Sequence, residues 1–178
     1  MIYIITACSR PENLEAMSKT IPQDCTWVVV YDDRVSMPQI DNAIVMKCDH
    51  TGIVGVKAQN HALDNLPLTD DDYVMLLDDD NILHPEWYAT VSQLLSHDFS
   101  IMTWGQLHKD NSIRLEPQRR PQVGNIDTAS FLVSWKYNKN TRQTVDVYEH
   151  DGMYAYTCAN NGPIMCVNRY LCYYNYLR

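Results

Sequence analysis

The sequence is short of basic residues, and this shortage limits the partners that the protein can bind. Among its 178 residues, 22 are Asp or Glu and only 14 are Lys or Arg, so the formal net charge is −8. A chain of this charge has no broad positive surface with which to neutralise many phosphates, the main source of affinity for DNA and RNA. We therefore expect no nucleic-acid partner.

Long apolar runs and closely spaced cysteines are also missing. No run approaches the roughly 20 apolar residues that cross a bilayer, and the first residues lack the basic segment of a signal peptide. The six cysteines form no C-x-x-C pair, which favours reduced, mostly buried thiols and a cytoplasmic protein. A zinc site formed by the last three cysteines, Cys158, Cys166 and Cys172, stays open as an alternative.

Short apolar runs alternate with helical patterns through the first hundred residues. A hydrophobic share of 46% and a length of 178 residues suit one compact domain over residues 1–178. Continuous apolar runs are typical of parallel strands that are covered on both faces. We therefore predict an α/β fold, with an open, mostly parallel sheet and helices on both faces. The predicted strands are residues 2–6, 26–31, 43–47, 73–77 and 100–104.

The pattern changes after residue 105. Residues 106–125 are polar and irregular, which predicts a loop or a hairpin, and a helical pattern returns at Asp127 in the run DTASFLVSW. The aromatic tail CVNRYLCYYNYLR fits either a helix or a strand.

Aspartates follow two of the predicted strands directly, at the point where each strand ends. Asp32 and Asp33 follow the second strand, and Asp78, Asp79 and Asp80 follow the fourth. In open α/β sheets, ligands bind beyond the carboxyl ends of the strands. This edge of the sheet is therefore the predicted site.

The run Asp78–Asp80 predicts a metal site. Adjacent carboxylates repel one another and, beside a low-dielectric core, are costly to ionise. A hard divalent cation such as Mg²⁺ or Mn²⁺, shared with substrate phosphates, removes that cost. The competing interpretation is a solvated acidic turn. We prefer that interpretation for the other triple-aspartate run, Asp70–Asp72, because it precedes a strand instead of following one.

Two acidic residues near the C-terminal third are candidates for a general base. Asp151 and Glu149 flank His150, just before a helical pattern. A carboxylate beside a bound substrate can accept a hydroxyl proton in the transition state, whereas an acidic residue before a helix is also a common N-cap. Asp127, which precedes TASFLV, has the same two interpretations.

Four stretches, taken in order, carry a family resemblance. They are IITACSRPENL, GIVGVKAQNHALD, LLDDDNILHPEW and the later pair GNIDTASFLVSW and YEHDGMYA. Together they resemble glycosyltransferases of the GT-A fold, of the family-2-like kind, and above all the small stand-alone enzymes of viruses, phages and bacteria. If the source is viral, the predicted location is the host cytoplasm.

This resemblance implies an inverting transfer of a sugar from a nucleotide-diphosphate donor, expected to be a UDP-sugar, to a hydroxyl acceptor on a glycan. Residues 1–105 would form the nucleotide-sugar-binding half and residues 106–178 the acceptor half. By this resemblance, the metal ligands for Mn²⁺ or Mg²⁺ are Asp80 and Asp78, and the base is Asp151 or Glu149. The implied acceptor-binding residues are Asp127, Trp104 and Trp135. The implied nucleotide-binding residues are Thr6, Ala7, Arg10, Asp32, Asp33, Lys57, Asn60 and Asp79.

Three rival functions remain open. A sugar-nucleotide pyrophosphorylase needs a glycine-rich first loop to cradle a triphosphate, and TACSRPEN contains no glycine. A metal-dependent phosphatase or nuclease could use Asp78 and Asp80, and a local basic loop at Arg114, Arg119 and Arg120 is present. The third rival is a non-catalytic nucleotide-sugar-binding module.

Overall fold

The computed structural model describes residues 1–178 and contains one mixed sheet of nine strands. The strands are β1 (Ile2–Ala7), β2 (Cys25–Tyr31), β3 (Ala43–Lys47), β4 (Tyr73–Leu76), β5 (Ile82–Leu83), β6 (Ile101–Leu107), β7 (Ile113–Leu115), β8 (Phe131–Ser134) and β9 (Ile164–Tyr173). The helices are α1 (Leu14–Ser18), α2 (Val56–Asn65), α3 (Trp87–Ser92), α4 (Trp135–Asn138) and α5 (His150–Asn160), with 3-10 turns at Pro11–Asn13 and Ile53–Gly55.

The N-terminal half of the sheet is parallel, as its apolar runs predict. Its strands lie in the order β3-β2-β1-β4, and each neighbouring pair is parallel. Adjacent residues of β1 show why the runs are continuous, because Ile4 joins the core on one face and Ile5 the core on the other. The carboxyl ends of these strands therefore meet at one edge.

The C-terminal half departs from the predicted mostly parallel sheet. Strand β8 lies between β4 and β6 and is antiparallel to both, and only four of the eight strand pairings are parallel. The connection from β6 to β7 is a tight turn, which can join antiparallel strands but cannot carry a crossover.

Helices cover both faces of the sheet, as predicted. Leu14 and Met17 of α1, with Trp87 and Val91 of α3, pack in the core on one face. On the other face, α2 and α5 pack against the sheet through apolar residues such as Ala58, Ala62, Tyr154 and Cys158. No helix is both long enough and apolar enough to cross a membrane.

The structure differs from the sequence analysis in two local features. The first is the predicted helix after Asp127. The run after Asp127 is a turn followed by strand β8, and only Trp135–Asn138 is helical. Residues 131–133 are fully or almost fully buried between β4 and β6, so tertiary pairing overrides the helical spacing. The second concerns the alternative of a zinc site at Cys158, Cys166 and Cys172, which gains no support: no three His, Cys, Asp or Glu side chains are grouped to hold a metal, and all six cysteines are free.

Candidate active site

A cleft of about 460 Å³ opens beyond the carboxyl ends of β1 and β4. One wall consists of residues 7–10, after β1, and residues 51–55, before α2. Asp78–Asp80 contribute the residues after β4. The opposite wall combines residues 124–128, 148–151 and the C-terminal segment 174–178. The cleft thus brings together seven of the residues named for catalysis, metal or ligand binding: Ala7, Arg10, Asp78, Asp79, Asp80, Asp127 and Asp151, with Glu149 at its edge.

Asp79 fastens the loop after β1 to the loop after β4. Its buried Oδ2 accepts hydrogen bonds from Ser9 N at 2.6 Å, Ser9 Oγ at 2.8 Å and Arg10 N at 2.7 Å. Its Oδ1 accepts one from Arg10 Nε at 2.8 Å. Both oxygens of Asp79 are thus occupied by the first loop, where they position Arg10. A direct contact of Asp79 with a nucleotide stays a prediction.

The carboxylate of Asp80 is shared by two arginines. Arg178 Nε lies 2.5 Å and Arg10 Nη2 lies 3.0 Å from Asp80 Oδ2. Backbone contacts keep the C-terminal segment beside it, since Leu177 N donates to the carbonyl of Asp80 and Asn175 N donates to Asn81 Oδ1. The positive charge around Asp80 therefore comes from the first loop and the last residue together.

Asp78, Asp127 and Asp151 all line the cleft and lie close enough for their charges to act on one another. Burial, followed by the charges of Asp80, Asp79 and Asp151, raises the pKa of Asp78 to about 7, although Thr128 Oγ1 donates to it at 2.5 Å. Burial and then Asp78 and Asp151 raise the pKa of Asp127 to about 8, against the opposing effect of Arg114. The raised pKa favours the protonated form of Asp127, which can donate a hydrogen bond to Asp151.

Removing the charge of Asp127 is expected to stabilise the ligand-free protein at alkaline pH. The pKa of Asp127 is about 8 in the folded protein and 3.8 in the unfolded chain. The contribution of Asp127 to the free energy of unfolding is therefore fully present below pH 3.8 and is lost as the pH rises through about 8. We expect Asp127→Asn to gain about 1–2 kcal/mol over the wild type at pH 8.5 and little at pH 5. Urea unfolding at both values measures this, with the exposed Asp71→Asn as control; an equal effect at both values would contradict it.

Asp32 holds two residues that line the cleft, Arg34 and Thr51, without lining it itself. Burial raises its pKa, but hydrogen bonds from Thr51 N, at 2.8 Å, and from the backbone and guanidinium of Arg34 hold it well below its usual range. Thr51 and Arg34 line the cleft, whereas Asp32 does not. Asp33 points to solvent and pairs with Lys47 at 2.5 Å, so it lies outside the cleft.

Three residues named for nucleotide binding also lie outside the cleft. Thr6 is buried, and its Oγ1 accepts a hydrogen bond from Trp27 Nε1 at 3.0 Å. Lys57 is exposed beyond the lining of the cleft. Asn60 is occupied by the loop before α5, since its amide exchanges hydrogen bonds of 2.9 and 3.0 Å with the backbone of Gln143.

The two tryptophans expected to contact an acceptor are part of the core. Trp104 is 1% exposed and donates from Nε1 to the carbonyl of Ala129, and Trp135 is 6% exposed. Neither ring can therefore stack on a sugar in the cleft. The aromatic rings that line it are Tyr148, which is 76% exposed, and Tyr174.

Several residues of the cleft were not identified from the sequence. They are Ser9, Arg34, Thr51, Thr128, Tyr148, His150, Tyr174 and Arg178. Arg114 also lines the cleft, although the sequence named it only as part of a basic loop. Thr128 could have been found from its position beside Asp127. No neighbouring residue in the sequence places Arg114 or Arg178 in the cleft, because both reach it from segments distant from the strands β1 and β4. In the cleft, Arg114 pairs with Asp127 at 3.1 Å.

The donor set fits a divalent cation only in part. No three His, Cys, Asp or Glu side chains are grouped as a complete metal site. Asp78 and Asp80 nevertheless offer carboxylates to the cleft, and neighbouring carboxylates add to burial in raising the pKa of Asp78. Mg²⁺ is commonly held by one or two carboxylates together with substrate phosphates and water. The residues are therefore compatible with an ion that arrives with a phosphorylated ligand.

Comparisons with known proteins show similarity in structure only. No protein-family model and no curated protein matches the sequence. The crystal structure of S. aureus TarS 1-349 superposes with a TM-score of 0.70 at 16% identity, covering 97% of this chain and 59% of that one. The chain thus spans about three fifths of the length of that TarS fragment.

Two further structures extend the similarity. The 2-C-methyl-D-erythritol 4-phosphate cytidylyltransferase IspD of Francisella tularensis gives a TM-score of 0.57 at 12% identity, covering 93% of this chain and 90% of that one. The bifunctional IspDF of Campylobacter jejuni gives 0.58 at 15% identity, covering 94% and 49%. Identities this low establish the fold alone, and the resemblance to family 2 in particular stays a prediction. The chain therefore shares the α/β fold of TarS, IspD and IspDF.

Proposed function

We propose that the protein is an inverting glycosyltransferase that moves a sugar from a nucleotide-diphosphate donor to an acceptor hydroxyl. The observation that carries this proposal is the arrangement of the cleft, in which Asp78 and Asp80 end a central strand and Asp151 stands on a wall formed by a different part of the chain. Ligands of such sheets bind beyond the carboxyl ends of the strands, where these groups lie.

The donor diphosphate would lie between Asp78–Asp80 and the arginines of the cleft. Arg10 and Arg178 already contact Asp80, and guanidinium groups bind phosphate oxygens strongly. Mg²⁺ or Mn²⁺ held by Asp78 and Asp80 would supply further positive charge to the leaving diphosphate. Because Arg178 Nε is 2.5 Å from Asp80, its guanidinium would turn from the carboxylate toward the phosphates. The nucleoside would lie on the wall formed by Ala7, Arg34 and Thr51.

Asp151 is the proposed base. As the acceptor oxygen bonds to the anomeric carbon, the carbon–phosphate oxygen bond breaks, its electron pair leaves with the diphosphate, and the hydroxyl proton passes to Asp151. A hydrogen bond from protonated Asp127 would hold the Asp151 carboxylate in place. Glu149 is exposed at the edge of the cleft and makes no side-chain hydrogen bond as the N-cap of α5, which favours Asp151.

The first loop argues against a nucleotidyltransferase, although one of the structurally similar proteins is named a cytidylyltransferase. Nucleotidyl transfer needs free backbone N–H groups in this loop to cradle a triphosphate. Here the N–H groups of Ser9 and Arg10 both donate to Asp79 at 2.6–2.7 Å. The loop therefore has few free donors for a triphosphate and relies on the Arg10 side chain.

A thermal-shift panel of nucleoside diphosphates and nucleotide sugars, each with and without Mn²⁺, tests the proposal. A ligand at 100 times its Kd adds about 2.7 kcal/mol of stability, which corresponds to a Tm increase of roughly 5–10 °C for a chain of this size. We expect the largest increase with a uridine nucleotide plus Mn²⁺. Stabilisation by nucleoside triphosphates alone would favour nucleotidyl transfer, and hydrolysis of a simple phosphate ester without nucleotide binding would favour a phosphatase.

A further inference from the structure

His150 is a buried residue of the cleft that takes no part in the donor binding or proton transfer proposed above. It is the first residue of α5, it is 5% exposed, and it lines the cleft between Glu149 and Asp151. Its Nδ1 lies 2.5 Å from Oε1 of Gln143. Its Nε2 makes no hydrogen bond within the protein and is not among the fully buried unpartnered atoms, so this nitrogen remains accessible from the cleft.

Gln143 is itself held at three points by α2. Its side-chain Nε2 donates to Gln59 Oε1 at 2.5 Å, its backbone N donates to Asn60 Oδ1 at 3.0 Å, and its carbonyl accepts from Asn60 Nδ2 at 2.9 Å. Both Gln59 and Gln143 are buried. The Gln143 amide is engaged through both its nitrogen and its oxygen, so this chain of contacts holds the imidazole ring relative to the sheet.

The contact with Gln143 also determines which imidazole nitrogen carries the hydrogen. A carboxamide oxygen can only accept, so Nδ1 donates, and Nε2 of the neutral ring then presents a lone pair to the cleft. Burial lowers the pKa of His150, opposed by the charge of Asp151. The hydrogen-bond partner of the ring, Gln143, is an uncharged amide, and the lowered pKa favours the neutral ring.

We propose that His150 is a substrate-binding residue whose Nε2 accepts a hydrogen bond from a hydroxyl of the sugar acceptor, beside the hydroxyl that Asp151 deprotonates. Gln143 and Gln59 are positioning residues that act through it. This inference rests on the proposed glycosyltransferase function and assigns one of its acceptor contacts. It also gives Asn60 a role, which is to hold Gln143 instead of touching the nucleotide.

Two variants separate substrate binding from a structural role. In His150→Asn the amide can still donate to Gln143 from the position of Nδ1, but nothing replaces Nε2, whereas His150→Gln places an amide near the position of Nε2. With methyl glycosides as acceptors and release of nucleoside diphosphate as the readout, we expect H150N to raise the acceptor KM by roughly tenfold, and H150Q to recover part of this loss. The donor KM should not change. Equal KM values for H150N and the wild type would overturn the proposal.

A measurement without substrate keeps the inference separate from the proposed function. Long-range proton–nitrogen NMR of histidine-labelled protein, assigned with H150Q, should show the hydrogen of His150 on Nδ1 and a pKa below that of free histidine, roughly 6.5. Gln143→Glu should raise this pKa by at least one unit, because Gln59 has an unpartnered Nε2 that can turn to meet the new carboxylate. A hydrogen on Nε2 would overturn the inference. The expected spectrum without any glycosyl transfer would instead count against the proposed function.

Discussion

Asp151→Asn is expected to lower the rate of sugar transfer by about 10²- to 10⁴-fold, the usual contribution of a general base. Asparagine has nearly the same shape and can still accept the 2.7 Å hydrogen bond that Gly152 N gives to Asp151 Oδ1. It cannot take a proton from the acceptor. Donor binding should therefore remain within about threefold of the wild type, since the loss appears in the transition state and not in the ground state.

The matched control is Glu149→Gln, which removes a carboxylate two residues away. Glu149 is exposed, so we expect this variant to keep at least a third of the wild-type rate. Single-turnover transfer and isothermal titration with the nucleoside diphosphate measure the two quantities separately. A large rate loss in E149Q with a small one in D151N would exchange the two roles, and lost donor binding in D151N would place Asp151 on the nucleotide side.

The second large effect is expected at Asp79, on stability and on donor binding together. Asp79→Ala removes the acceptor of four hydrogen bonds from Ser9 and Arg10 and leaves Arg10 without its shorter ion pair, at 2.5 Å. Removing one partner of a buried pair costs about 3–5 kcal/mol, and because Arg10 is 32% exposed we expect the lower end, about 3 kcal/mol. Free to move, the loop from Cys8 to Arg10 should also lose nucleotide affinity by tenfold or more.

Asp71→Ala is the matched control, because it changes an exposed member of the other triple-aspartate run. We expect its free energy of unfolding to lie within 0.5 kcal/mol of the wild type, as is usual at such sites, roughly ±0.5 kcal/mol. Urea unfolding and nucleotide titration compare the variants. If Asp79→Ala unfolds like Asp71→Ala, the hydrogen bonds of Asp79 contribute little. If it keeps full nucleotide affinity, the first loop does not hold the donor.

The contrast between the two triple-aspartate runs shows what sequence context can predict. Asp78–Asp80 follow a buried apolar strand, and the structure places them in the cleft, whereas Asp70–Asp72 precede that strand and make a turn. The spacing could not predict which partner each aspartate of this run contacts. Asp79 faces the first loop and Asp80 faces Arg178, because the chain turns sharply after β4 and sends neighbouring side chains in different directions.

The tryptophans and Asn60 show the opposite case. A tryptophan side chain has an apolar body and a polar N–H, so it is found both in cores and in clefts. The residues next to Trp104 and Trp135 in the sequence do not indicate which of the two applies. Trp104 lies in the core on one face of the sheet and Trp135 in the core on the other. Asn60 matches a motif by position, yet its amide is used by Gln143, 83 residues further along the chain, a partner that no local pattern could reveal.

The sequence by itself determined the parallel half of the sheet, β1 to β4, and the acidic edge where those strands end. Both depend on local order along the chain, namely apolar runs of strand length followed directly by carboxylates. Only the tertiary structure decided the antiparallel half and the far wall of the cleft. Arg114, Asp127, His150 and Arg178 reach the site through pairings between distant segments, and such pairings are selected by the burial of the whole core and not by any neighbouring residues.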